Sequence, residues 1–185
     1  MPRSPREDFE DAWHHVMNRG VARQPVFLSE RDYLQFLDCL ATAAGESSVE
    51  VHGYCLMKNH FHLLIRSREG QVSKFLKLLS GRYTREFNRR AGRDGPLFRG
   101  RAYSVLVRDE EQMVQTSRYI HLNPVAAGLS KRPEDWQWSS ASAYLNIEPA
   151  RSWLQTRMIL ELFDHAVPGG DYRSFLMDNI EISGV

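Results

Sequence analysis

Between the runs "VEVHGYCLM" and "HFHLLI" the chain has only Lys58 and Asn59 with which to reverse direction. Two β-rich runs joined by two polar residues predict a tight antiparallel hairpin, because so short a connection reaches no other pairing. The flanking sequence must then supply the remaining strands of that sheet and the helices that cover it. Upstream, "WHHVMNRG" reads as a short strand ending at Gly20, followed by the helix "SERDYLQFLDCLATAAG". Ser29 is its N-cap, Asp32 stands three residues on, Tyr33, Leu37 and Leu40 share a face, and Gly45 stops it. Downstream, "VSKFLKLLSGRYTREFNRR" is amphipathic, with Val72, Leu76, Leu79, Tyr83 and Phe87 inward and Lys74, Lys77, Arg85 and Arg89 on the opposite face. A strand near "RAYSVLV" follows, then a long helix opened by Asp109 with Gln112 at the capping-box position.

The order strand, helix, strand, strand, helix, strand, helix predicts an α+β fold. It is the ferredoxin-like split βαβ pattern, an antiparallel sheet with helices on one face. "EDWQWSSASAYL", "SWLQTRMILELFDHAV" and "YRSFLMDNI" read as further helices, a C-terminal helical appendage. The expected organisation is a tail over 1–12, a domain over 13–145 and the appendage over 146–185.

A chain of 185 residues with 42% hydrophobic side chains buries a full core, so disorder is not the default. Cys39 and Cys55 sit in apolar surroundings without C-x-x-C spacing, which argues against a disulfide framework or a thiolate zinc site and for a reducing cytoplasm. No apolar run is long enough for a membrane span, and the first residues lack a signal-peptide core, so the expectation is a soluble, unprocessed protein. The net charge of +1 conceals segregation. From Arg66 to Arg101 there are eleven Lys or Arg against Glu69, Glu86 and Asp94, whereas from Asn146 onward six acids outnumber three bases. A basic block on a near-neutral chain fits a phosphate-backbone ligand, and equally a solvated helix face.

Within the hairpin, His60 and His62 project together on one side of a strand while Phe61 and Leu63 project to the other. Two neutral imidazoles so placed suit a divalent cation, the ordinary alternative being a pair of satisfied histidines. His14, His15, His52, His121 and His165 are further candidates with weaker spacing. A histidine-triad nucleotide hydrolase would need a third alternating histidine, and Leu64 stands there. In "SRYIHLNP", Tyr119 and Asn123 are four apart and share a helical face. A tyrosine beside an oxygen ligand, brought to two histidines, is a nucleophile next to a Lewis acid. The plainer reading makes Tyr119 a core aromatic and Asn123 the N-cap of a helix starting at Pro124.

Taken together, "HHVMNRG", "CLMKNHFHLLI", "LFRGRAYSVLV", "SRYIHLNPVAAGL" and "WQWSSASAYL", in that order, resemble the HUH-type single-tyrosine transposases, and in particular the REP-associated tyrosine transposases and their insertion-sequence relatives. The likeness covers Trp13 to Leu145. It implies the same ferredoxin-like fold and a site-specific single-strand DNA nickase and strand transferase. Tyr119 matches the nucleophile that forms a 5′-phosphotyrosine link, and His60, His62 and Asn123 match the ligands of a magnesium or manganese ion. The implied partner is single-stranded or hairpin DNA, held by Lys74, Lys77, Arg82, Arg85, Arg89, Arg99 and Arg101, in the cytoplasm of a bacterium and in association with the nucleoid. Tyr103, Trp136 and Trp138 are stacking surfaces for bases, or the tryptophans pin the appendage to the core. The sequence departs from the family where His14 replaces a common tyrosine. A homodimer that exchanges the tyrosine helix and a self-sufficient monomer both remain open, as do a domesticated hairpin binder and a hydrolase working through activated water.

Overall fold

The computed structural model describes residues 6–178. Residues 1–5 of the expected tail, and Asn179 and Ile180 of the last expected helix, lie outside the described residues. The strands are β1 (Ala12–Arg19), β2 (Val49–Met57), β3 (His60–Ser67) and β4 (Tyr103–Val107). They form one sheet in the order β2-β3-β1-β4 with every neighbouring pair antiparallel. β1 and β2 therefore run the same way with β3 between them, which is the split βαβ arrangement the hairpin demanded. Met57 pairs with His60 across the two-residue turn, as the sequence predicts.

Helices α1 (Glu30–Gly45) and α2 (Val72–Ala91) pack on one face of the sheet. The alternation of β3 explains why: Phe61, Leu63 and Ile65 all point there and are fully buried with Phe36, Leu40, Phe75, Leu79, Tyr83 and Phe87. Burial of each such side chain contributes about 1.5–3 kcal/mol. Asp32 accepts from the Ser29 amide at 3.0 Å, closing the start of α1, and Gly92, at φ 60°, ends α2 in the left-handed conformation that glycine adopts without strain.

The third long helix, α3 (Glu110–Ala126), takes the opposite face, so the expectation of helices on one face holds for α1 and α2 alone. Val114 and Ile120 of α3 cover Leu64, Cys55 and Met57 in a second core. Asp109 caps this helix through the Gln112 amide at 2.8 Å. Asn123 does not open a new helix at Pro124, because α3 runs on through that proline to Ala126. Over α3 lie the short helices α4 (Ala141–Tyr144), α5 (Arg157–Ala166) and α6 (Tyr172–Met177), whose Tyr144, Ile159, Phe163, Tyr172 and Leu176 complete the second core. The Arg118 guanidinium donates to the Phe175 carbonyl at 2.7 Å. Ser117, His121 and Tyr172 join in a buried polar chain, with 3.0 Å from Ser117 Oγ to the Tyr172 hydroxyl and 3.4 Å from that hydroxyl to His121 Nδ1.

Two stretches expected as helix are instead extended. In "EDWQWSSASAYL" a single 3-10 turn at Pro133–Asp135 and α4 flank residues that lie against β2: the Leu56 amide donates to the Trp138 carbonyl at 2.9 Å and Trp136 Nε1 to the Leu56 carbonyl at 3.0 Å. Likewise α5 begins only at Arg157, because the Gln155 amide is spent on the Val51 carbonyl at 2.9 Å. Both stretches satisfy the otherwise open edge of β2.

Candidate active site

The sheet face that carries α3 ends in an open cavity of about 630 Å³. His60, His62, Tyr119 and Asn123 line it together, so all four residues singled out in the sequence meet there. His60 and His62 lie with ring centroids 5.1 Å apart, and the Tyr119 ring stands edge-on to His62 at 5.7 Å. Tyr119 is 53% exposed, which the core-aromatic alternative does not fit. Asn123, one turn later on α3, donates through Nδ2 to the Tyr119 carbonyl at 2.8 Å, leaving Oδ1 as its unengaged polar atom.

The histidines are oriented by their Nδ1 atoms. His60 Nδ1 meets Asn59 Oδ1 at 2.7 Å, and His62 Nδ1 meets His15 Nε2 at 3.0 Å, so neither contact uses Nε2 of His60 or His62. Burial lowers the pKa of His62 well below the ordinary imidazole value, helped by His15 and His60. Burial and then the positive Arg19 lower that of His60. Both rings are therefore neutral near pH 7, the form that offers a lone pair. Two imidazole nitrogens and one amide oxygen constitute a donor set that fits a divalent cation, while among the described residues no three His, Cys, Asp or Glu converge as ligands.

His15 is the residue the sequence reading undervalued. It is half-buried, its pKa is lowered to about 4 by desolvation, and its ring stacks on His62 at 5.2 Å and meets Tyr119 edge-on at 5.6 Å. The signal was the strand period: His15, Met17 and Arg19 alternate on β1 opposite Leu64, His62 and His60 of β3. His14 consequently points away, bonded to Asp8 at 3.2 Å and Ser104 at 3.0 Å. His121 is buried in the α3–α6 contact, and His52 lies against Trp13 at 4.2 Å, remote from the cavity lining.

Among the seven basic residues expected to hold DNA, Arg99 and Arg101 line the cavity, joined by Arg19 and Arg23, and no carboxylate of the described residues does so. Lys77 lines an adjoining groove. Lys74, Arg82, Arg85 and Arg89 line neither, since α2 covers the other sheet face: Lys74 bonds Gln71, Arg82 clasps Glu46 at 2.8 Å and Arg89 pairs with Glu86. Trp138 stacks on Tyr33 at 4.4 Å and is buried, so the tryptophans pin the chain, whereas Tyr103, 55% exposed, faces the cavity.

Arg23 reaches the cavity from a tightly tied loop. Ala22 and Arg23 both adopt left-handed φ, 51° and 60°, at a cost of roughly 1–3 kcal/mol each. The loop is held because the Gly20 amide donates to the Asn59 carbonyl at 2.8 Å and Asn59 Nδ2 to the Arg23 carbonyl at 3.1 Å. A Cβ on Gly20 would lie 2.1 Å from the Gln24 carbonyl oxygen, so only glycine fits the turn.

Residues 8–123 match the family model described as "Transposase IS200 like". The chain belongs to that family. Among curated relatives of this IS200-like transposase, a protein of Haemophilus influenzae provisionally named as a REP-associated tyrosine transposase is 26% identical over 121 residues, covering 59% of this chain and 69% of its own. A solved structure of a REP-associated tyrosine transposase bound to a REP hairpin superimposes with a TM-score of 0.62 at 17% identity, over 84% of this chain and 98% of that one, and so shares the fold. A crystal structure of a Deinococcus radiodurans protein provisionally named as a transposase aligns over 64% of this chain and 95% of that one, with a TM-score of 0.45 and 19% identity.

Proposed function

We propose that this IS200-like transposase nicks single-stranded DNA beside a hairpin and transfers the cut strand through a 5′-phosphotyrosine link to Tyr119. The observation that carries the reading is an exposed tyrosine standing over two neutral histidines whose Nε2 atoms are left for a ligand. His60, His62 and Asn123 would hold the metal. A divalent cation there, magnesium or manganese, would neutralise the scissile phosphate and orient it for in-line attack. With the metal bound, His15 would accept from the Nδ1–H of His62 across their 3.0 Å contact and so hold that ring with its Nε2 lone pair available. Arg19, Arg23, Arg99 and Arg101 surround the phosphates with positive charge. The tyrosine oxygen bonds to phosphorus as the bond to the 3′ oxygen breaks. The phenolic proton is lost to solvent and the departing oxygen takes one up. Because the bond energy is kept in the phosphotyrosine, a later 3′-hydroxyl can reverse the step and join strands.

The hairpin substrate is proposed from the solved relative, whose fold this chain shares. The attachment of α3 by α5 and α6 favours attack on DNA bound by the same chain's histidines, in a monomer. A cytoplasmic, nucleoid-associated site of action goes with this reading, and no helix among the described residues is long and apolar enough to cross a membrane.

The test is incubation with end-labelled single-stranded DNA from both flanks of the gene, in magnesium or manganese, followed by a denaturing gel. A metal-dependent protein-linked band is expected, absent from Tyr119→Phe although that variant still binds the DNA. Binding without a band in either protein would instead identify a hairpin-binding regulator.

A further inference from the structure

The two residues that turn the chain from β2 into β3 do more than reverse its direction. The Lys58 carbonyl accepts from the Val26 amide at 2.9 Å and the Asn59 carbonyl from the Gly20 amide at 2.8 Å, so the turn holds both ends of the loop that bears Arg23. Neither Lys58 nor Asn59 has a positive φ, so the turn backbone itself does not call for asparagine. The Asn59 side chain bridges two parts of the site: Nδ2 donates to the Arg23 carbonyl at 3.1 Å, and Oδ1 meets His60 Nδ1 at 2.7 Å. The direction of both bonds follows from chemistry. A carbonyl only accepts, so the amide turns Nδ2 toward Arg23; Oδ1, which also only accepts, is left for His60, and Nδ1 has to be the donor. In a neutral ring the lone pair is thereby confined to Nε2. The contact between His15 and His62 lacks this direction, since two imidazoles facing each other satisfy it with the proton on either ring. The Arg23 loop is anchored on its other side as well, where the Val21 amide donates to the Leu97 carbonyl at 3.0 Å, and so serves as a fixed point for the amide.

We propose that Asn59 is a positioning residue that sets the metal-binding form of His60 from the Arg23 loop: the loop carbonyl orients the Asn59 amide, and the amide keeps the His60 proton on Nδ1. The inference rests on the nickase reading and gives a source for the geometry of its metal site. The same amide restrains Arg23 at its left-handed φ of 60°, a conformation that persists only where its surroundings enforce it. One side chain thus keeps a cation of the cavity and a metal ligand in register. A disturbance of the loop reaches His60 without touching it.

The test uses the full-length protein without DNA. Long-range proton–nitrogen spectra of the histidine rings tell a proton on Nδ1 from one on Nε2, and electron paramagnetic resonance of the free ion gives manganese affinity. Hydrogen exchange follows the amides of Arg23 and Gln24, which close the loop onto the Gly20 and Val21 carbonyls. Asn59→Leu, which lacks both amide groups, should mix the His60 tautomers, lower manganese affinity about 10-fold and speed exchange of the loop amides. His62, in contact with His15 instead, should keep its spectrum. Asn59→Asp retains the acceptor and loses the donor. It should hold the His60 proton on Nδ1 and keep manganese affinity at or above that of the unsubstituted protein, while its loop amides exchange as fast as in the leucine variant. Gly20→Ala, whose Cβ would lie 2.1 Å from the Gln24 carbonyl oxygen and displace the loop, should mix the His60 tautomers although Asn59 is unchanged. The proposal fails if the leucine variant keeps His60 wholly protonated on Nδ1, or if the aspartate variant leaves the loop amides protected. It fails equally if His62 changes as much as His60, the mark of a general loosening of the hairpin. The phosphotyrosine band of the unsubstituted protein decides the nickase reading separately: its absence would remove that reading, while the ring spectra and loop exchange would still decide on Asn59.

Discussion

At the scale of single residues the site depends on which nitrogen of each ring is occupied. The 3.0 Å contact between His15 and His62 couples the tautomers of the two rings: with both uncharged, His62 offers a lone pair at Nε2 only when its Nδ1 carries the proton and His15 accepts. Replacing His15 by leucine should therefore lower manganese affinity, measured by electron paramagnetic resonance of the free ion, by about 10-fold or more, in line with the loss of other ligand-orienting groups. Glutamine, which keeps an acceptor, should restore most of it. An unchanged affinity in the leucine variant, with its circular dichroism intact, would leave His15 a packing residue. His60, His62, Tyr119 and Asn123 were legible in the sequence because each lies on a regular element, where spacing converts directly to direction. His15 was not, because its importance comes from lying beside β3. The pairing of β1 with β3 is a long-range event that the local pattern does not encode. The arginines show the same division. Arg23 sits in a left-handed loop whose shape depends on Gly20 approaching a carbonyl, and no periodicity marks such a place.

At the scale of elements, the hairpin and the two amphipathic helices follow from local signals, whereas the side of the sheet each helix takes does not. Apolar alternation on β3 shows that one face is all core, but Leu64, Cys55 and Met57 make the other face apolar too, beyond the histidines. That second apolar half is what α3 covers. Around Trp138 and Gln155 the aromatic and aliphatic spacing suits either helix or extended chain, and the open edge of β2 decides for the extended state. The attachment of α3 to α6 can be tested separately. Leu176, 1% exposed, should cost about 2–5 kcal/mol on replacement by alanine, read from denaturant unfolding. Amides of α3 around Ser117 should then exchange faster than those of α2. Equal acceleration in both helices would mean that α6 stabilises the whole fold without particular hold on α3.

At the scale of the whole molecule, buried histidines tie stability to acidity. His15 and His52 have pKa values lowered to about 4 and His121 to about 3, in each case chiefly through burial, against 6.5 when unfolded. Between those limits the unfolded chain holds more protons than the folded one, so stability rises with pH across that window and is lost as pH falls from about 6.5 toward 4. Each histidine contributes at most about 1.4 kcal/mol per pH unit. Thermal melts should therefore show the transition falling steadily below pH 6.5, and a melting temperature flat down to pH 4.5 would contradict the neutral burial of these rings. The division of the molecule by its sheet has a consequence for inheritance. The strands, the histidine pair and the basic grooves are all encoded before Pro124, whereas the helices that seat the tyrosine-bearing α3 come last. A stop codon just after Tyr144 would leave the histidine pair and the arginines of the cavity in the chain while stripping α5 and α6 from the support of Tyr119. On the proposed function, one late mutation would thus separate DNA recognition from cutting, a short genetic path from a nickase to a DNA-binding protein.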